Sequence, residues 1–171
     1  MYIDLSGEWK IMVKAEDGEQ SGVIQLPGIL QAAGYGNPIT WDTPWVSALH
    51  DDFWYEQEEY KYGQEEQVNV PFLAQPPRHF LGVAVYERIF TVPEAACESG
   101  AKWQFHVELA RWRSRVYIDG AEAGTDESLC APHDIPLGRL APGEHTIRVE
   151  LDNSMIYPYR PDGHGVSDAL G

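Results

Sequence analysis

Two stretches of strict alternation decide what this chain can fold into. Trp103, Phe105, Val107 and Leu109 fall on one side of an extended backbone, with Gln104, His106 and Glu108 on the other. Ile147, Val149 and Leu151 alternate in the same way with Thr146, Arg148 and Glu150. Successive side chains of a strand point to opposite faces, so a period of two gives one face to bury and one to wet. A helix needs apolar residues every three to four positions, and no segment of useful length has that spacing. Shorter alternations surround these two. Trp9, Ile11 and Val13 read as a strand, and Val23 to Leu26 as its partner, stopped by Pro27-Gly28. Val83 to Val92 is apolar and aromatic and ends at Pro93. Val116 and Ile118 run into Asp119-Gly120, a hairpin-turn pair, with Glu122 to Thr125 as the return strand. Pro142-Gly143 marks a turn directly before the Thr146 strand, and Ile29 to Ala33 is long enough for a single helical turn. Strands at short intervals with turn pairs between them predict an all-β, antiparallel β-sandwich, a jelly roll of about eight strands.

One region breaks the pattern. Residues from about 27 to 80 carry little alternation and much Gly, Pro and aromatic, including Trp41, Trp45, Phe53, Trp54, Tyr55, Tyr60 and Tyr62. The same stretch holds the acids Glu56, Glu58, Glu59, Glu65 and Glu66. A loop of that length inside a compact domain is a functional segment or packs as a substructure of its own. The expected organisation is therefore a sandwich over residues 1–155 with an aromatic-rich insertion at about 27–80, followed by a tail over 156–171.

Composition narrows the partners. A chain of 171 residues fits one domain with a substantial core. Its 12 Lys and Arg stand against 27 Asp and Glu, a formal charge of −15. A phosphate backbone or an anionic bilayer calls for a cationic surface, so neither nucleic acid nor membrane is an expected partner, whereas a neutral sugar is not disfavoured. Met1-Tyr2-Ile3-Asp4 runs straight into strand-like sequence with no basic segment and apolar stretch of a leader. A cytoplasmic protein is expected, a trimmed leader being the alternative. Cys97 and Cys130 form no metal or redox motif and read as free thiols, with a disulfide as the alternative. The six histidines have no pair at metal spacing, so no metal is expected; Asp51-Asp52 and Asp126-Glu127 show no convergence of the six or more oxygens that calcium needs. No phosphate loop, serine elbow or Cys/His arrangement is present, and no cofactor is expected.

Several motifs, in their order along the chain, resemble one family. Leu5-Ser6-Gly7-Glu8-Trp9, Leu26-Pro27-Gly28 and Val85-Tyr86-Glu87-Arg88-Ile89-Phe90-Thr91-Val92-Pro93 are similar to the opening strands of the N-terminal sugar-binding domain of glycoside hydrolase family 2, the β-galactosidase, β-glucuronidase and β-mannosidase family. Val85 and Glu87 depart from that family's Trp-Tyr-Arg-Arg pattern. Ser114 to Gly120 with Gly124, and Leu140 to Asn153 with its Pro-Gly turn, resemble later strands of the same domain. Arg111-Trp112, Ser128-Leu129, Pro132-His133 and the Asp162 to Asp168 tail resemble a subgroup in which Ser-Leu-x-x-Pro-His precedes the seventh strand.

The resemblance implies a parent glycosidase that retains configuration through two carboxyl groups roughly 5 Å apart, carried on a barrel of about 250 residues. A barrel of that size does not fit here, so no catalytic residue is expected in this chain, and it is expected to be inactive alone. It also implies that this domain supports the barrel and lends polar groups to the sugar pocket. Asp152, Asn153, His164, Ser167 and Asp168 are the candidates, since a carboxylate accepts hydroxyl hydrogens through charge-assisted bonds. The plainer alternative is local: Asp152 and Asn153 end a strand in an Asx-type turn, and the rest is linker. Trp41 and Trp54 in the insertion, and Trp112, are further candidates, because indole faces stack on sugar rings. Their alternative is to pack the insertion or an interface. Arg88 reads as a structural arginine paired with an acid. Two readings follow, an accessory domain partnered by carbohydrate and the remaining domains of its own chain, or a stand-alone carbohydrate-binding module using the aromatic loop. A plain interaction module is a third.

Overall fold

The computed structural model describes residues 1–40, 43, 77–98 and 100–154, with 97 and 98 described for the backbone alone. The described chain is all-β. Its strands are β1 (Gly7–Ala15), β2 (Gly18–Leu26), β3 (Val83–Val92), β4 (Trp103–Val107), β5 (Arg113–Ile118), β6 (Ala121–Glu127), β7 (His133–Gly138) and β8 (Gly143–Asp152), with one short helix, α1 (Glu94–Glu98). Every pairing is antiparallel. Six strands form one sheet in the order β2-β1-β3-β8-β5-β6, and β4 pairs with β7 in a second. This is the expected antiparallel sandwich.

Alternation chooses the faces. Along β1, Trp9, Ile11, Val13 and Ala15 are buried while their neighbours are exposed. Register carries that choice across the sheet: Ile11 pairs with Tyr86, Tyr86 with Val149, and Val149 with Val116. All four are buried, so one row crosses four strands. Val116 then faces Gly124 on β6, where a Cβ would stand 3.1 Å from Cγ2 of Ile135 on β7. The missing side chain lets β6 and β7 approach, and Ile135 continues the buried row onto the second sheet. The outer face is charged instead. Lys10 faces Glu87, Glu87 faces Arg148, and Arg148 lies over the Tyr117 ring at 5.4 Å.

Several expectations need correction. The fourth strand ends at Val107, and Leu109, assigned to its buried side, is 62% exposed. Apolar spacing continued past the point where Glu108 bends the chain. β2 begins at Gly18 rather than Val23, because the short turn after Ala15 leaves two chains that pair along their whole length. Its polar residues reflect an outer strand with little to bury. Arg88 is structural: among the described residues its Nη1 donates to Leu5 O at 2.8 Å and Ser6 O at 2.9 Å, and its charge also acts on the Asp4 carboxylate. Trp9 Nε1 donates to the same Leu5 oxygen at 2.8 Å, so the motif residues Leu5, Trp9 and Arg88 form one tie on the N-terminal segment.

The chain divides into two units, one of Met1–Ile29 with Leu81–Ser154, and one that includes Leu30–Phe80. The first is the sandwich. In the second, the described residues show a turn at Leu30–Gly34, where Tyr35 N donates to Leu30 O at 3.2 Å. Further on, Asn37 N donates to His79 O at 2.6 Å and His79 N returns the bond at 3.0 Å. Arg78 Nη1 donates to Gly36 O at 3.1 Å. The two ends of the insertion are thus fastened to each other.

Candidate functional site

Three of the sequence candidates meet at one end of the six-stranded sheet. β5 begins there, β8 and β6 end there, and β3 starts beside them, since Arg113 pairs with both Asp152 and Glu127, and Val83 with Asp152. The Trp112 amide donates to Asp152 O at 3.2 Å and the Trp112 carbonyl accepts from Ser128 N at 3.0 Å. The Arg111–Trp112 peptide bond is cis. Trp112 is half-buried.

Arg113 organises the charge. Its Nε donates to Glu127 Oε1 at 2.5 Å, and its Nη1 stands 4.0 Å from Asp152 Oδ2. The Asp152 side chain keeps 25% exposure and Glu127 keeps 47%, so both acids reach solvent while an arginine compensates them. Asp152 Oδ1 accepts the Ser154 amide at 2.8 Å, the Asx turn that ends the strand. The local alternative therefore describes Asp152 well. It does not exhaust the residue, because a carboxylate has about four lone-pair sites and the cluster joins acceptors to guanidinium donors. Such a mixed, half-exposed set suits hydroxyl groups. Asn153 is more committed: its Oδ1 accepts the Gly82 amide at 2.7 Å and its own amide donates to Gly82 O at 3.1 Å.

Trp41, Trp45, Trp54, His164, Ser167 and Asp168 lie outside the described residues, as do Asp51 and Asp52. Cys130 is a free, exposed thiol; the Cys97 side chain is outside the described part. Among the described residues no group of three or more His, Cys, Asp or Glu is placed to hold a metal ion, and no helix is long and apolar enough to cross a membrane.

Sequence reading missed a buried polar chain beneath this end of the sheet. Ser114 Oγ lies 2.6 Å from His133 Nδ1, and His133 Nε2 lies 3.1 Å from Ser128 O. A carbonyl only accepts, so Nε2 carries a hydrogen. Ser128 Oγ in turn accepts the amides of Cys130 at 3.3 Å and Ala131 at 2.8 Å, closing the turn into β7. The Trp112, Ser128 and His133 motifs are thus one hydrogen-bonded run ending on Ser114. A Ser–His pair invites a nucleophilic reading, but both residues are 0% exposed, and a nucleophile that no substrate reaches is a tie. The signal was available, since Ser114 precedes Val116 and Ile118 on the inward face, and His133 precedes Ile135.

The fold and this site define an all-β sandwich domain with a half-exposed polar end. No protein-family model matches the chain, and no curated protein matches it. Solved structures do. A β-galacturonidase of family 2 from Eisenbergiella tayi, bound to galacturonate, is 18% identical at a TM-score of 0.50, covering 92% of this chain and 20% of its own. A β-glucuronidase from Ruminococcus gnavus is 16% identical at 0.53, covering 87% and 20%. The β-D-glucuronidase of Dictyoglomus thermophilum is 16% identical at 0.51, covering 95% and 23%. The chain therefore has the fold of a domain-sized part of these glycosidases and spans about a fifth of their length.

Proposed function

We propose that this chain is a non-catalytic accessory domain of a family 2-type retaining glycoside hydrolase, supporting a catalytic barrel and forming one wall of its sugar pocket. The observation that carries this reading is coverage: nearly the whole chain matches glycosidase chains several times longer. The ordered motifs from Leu5 to Asp168 support it independently of the fold. Within the described residues Asp152, Arg113 and Glu127 are proposed to supply polar contacts to sugar, and Asp168, Ser167 and His164 of the tail are proposed as further sugar-binding residues. Asn153 and Trp112 hold the backbone beneath.

The alternative, a stand-alone binding module, rests on Trp41 and Trp54. A calorimetric or NMR titration against monosaccharides and β-linked disaccharides separates the two. A single wall offers few contacts, so the accessory reading expects no binding, or millimolar shifts confined to the Asp152 end and the tail. Tight saturable binding lost on Trp41→Ala or Trp54→Ala, with folding unchanged, establishes the module instead. The chain is also expected not to hydrolyse nitrophenyl glycosides; turnover that survives rigorous purification would place the catalytic carboxylates here.

A further inference from the structure

At the end of the sandwich opposite Asp152, a histidine stands between two groups that can only accept. His145 Nδ1 lies 2.6 Å from Asp119 Oδ2, and His145 Nε2 lies 2.8 Å from Ala141 O. Asp119 belongs to the β5–β6 turn, where it and Gly120 have φ of 51° and 82°. Its other oxygen, Oδ1, accepts the Thr146 amide at 2.8 Å, and its own amide donates to Thr146 O at 2.9 Å. Ala141 belongs to the turn that leads into β8. The imidazole is covered: its side chain is 11% exposed, with the Phe90 ring of β3 at 5.8 Å.

A neutral imidazole has one N–H and one lone pair. It can satisfy a carboxylate or a carbonyl, but not both. The geometry therefore calls for imidazolium. We propose that Asp119, His145 and Ala141 form a proton-operated clip that holds the turn before β8 when the ring is charged and releases it on the Ala141 side when one proton leaves. The released side follows from chemistry. A carboxylate keeps the remaining proton better than a carbonyl, so Nε2 is left presenting a lone pair to Ala141 O.

Among the described residues Asp119 is the charge that bears on the ring. Arg88, next along β3 on that face, turns its guanidinium to Leu5 and Ser6. Glu144, the neighbour on β8, alternates to the opposite face, and Phe90 is uncharged. The Ala141 carbonyl first, and the Asp119 carboxylate second, hold the ring above the ordinary histidine value. Raised in the folded state, the clip is fully closed below about pH 6.5 and opens as pH rises through the raised value.

The test is a two-bond nitrogen–proton spectrum of the His145 ring, with amide signals of Gly143 and Glu144 followed from pH 5 to 9. Both ring nitrogens are expected to be protonated at pH 6, and the turn amides to shift with the ring's own midpoint. Asp119→Asn keeps an acceptor for Thr146 and should lower that midpoint by about one pH unit. His145→Gln should abolish the step in the turn amides. A ring with one N–H at pH 6, or turn amides that ignore the ring's midpoint, overturns the clip.

Discussion

Asn153 and Gly82 hold each other twice, through the Gly82 amide on Asn153 Oδ1 at 2.7 Å and the Asn153 amide on the Gly82 carbonyl at 3.1 Å. The pair joins the exit of β8 to the approach of β3, two strands that are neighbours in the sheet. It fixes the backbone on which Asp152 stands. Replacing Asn153 by Ala leaves the Gly82 amide without that acceptor and should cost about 1–2 kcal/mol. For a chain of this size that is a fall of roughly 2–4 °C in Tm per kcal/mol. Asn153→Asp retains the acceptor and should recover most of the loss. Thermal unfolding of the two variants checks this, and equal stability of Asn153→Ala and the parent would show the pair to be incidental.

Ser114 and His133 make the second prediction, one that separates a tie from a reaction centre. Ser114→Ala leaves Nδ1 of a buried ring without its hydroxyl, an expected loss of about 1–3 kcal/mol in urea unfolding. A fluorophosphonate serine probe should not label the native chain at Ser114, because the hydroxyl has no exposure. Labelling that tracks Ser114 would demand an opening that the fold does not provide.

Much of this was legible in the residues. Alternation at Trp9, Ile11 and Val13, and at Ile147 and Val149, named inward faces that are buried, since a period of two is a local property of the strand. The turn pair Asp119-Gly120 was readable because few residues adopt positive φ at two consecutive positions. What was not legible depends on distant pairing. Arg88 was assigned an acid, and Asp4 does feel its charge, but the carbonyls it bonds, some eighty residues away in sequence, could not be named. The Ser114–His133 pair is equally non-local: alternation places each residue on an inward face, but it does not name the two as partners. At the candidate site Asp152, Asn153 and Trp112 were found individually, but Arg113, which ties Glu127 and faces Asp152, was passed over because a lone arginine carries no signal without its register.

The fastening of the insertion can be tested at Gly36. Its φ is +105°, a conformation that L side chains rarely adopt, and a Cβ there would stand 2.7 Å from His79 O and 3.1 Å from Cβ of Phe80. Gly36→Ala should therefore disturb the Asn37–His79 bridge, with an expected cost of about 1–3 kcal/mol. Amide exchange at Asn37 and His79 should quicken while amides of β1 and β8 keep their protection. Uniform loss of protection across the sandwich would mean instead that the second unit and the sheet unfold as one.

Alkaline pH should act on the core through Tyr86. This ring is 7% exposed, in the row between Ile11 and Val149, and burial pushes its phenol up from 10.0 to about 12. The sign follows from which form the fold disfavours. Burial penalises the phenolate, so the native state holds the proton more tightly than the unfolded chain. The stability this represents is complete below pH 10 and is lost as pH rises toward 12. The rise from 10.0 to about 12 corresponds to about 3 kcal/mol. Tyr86→Phe removes the titrating group and keeps the ring, so the variant should lose less stability than the parent between pH 10 and 12. Urea unfolding of both proteins across that interval checks it, with the parent falling further by up to about 3 kcal/mol. Parallel curves would mean that the phenolate forms without leaving the core, and that water reaches Tyr86 from the side of the sheet that burial closes.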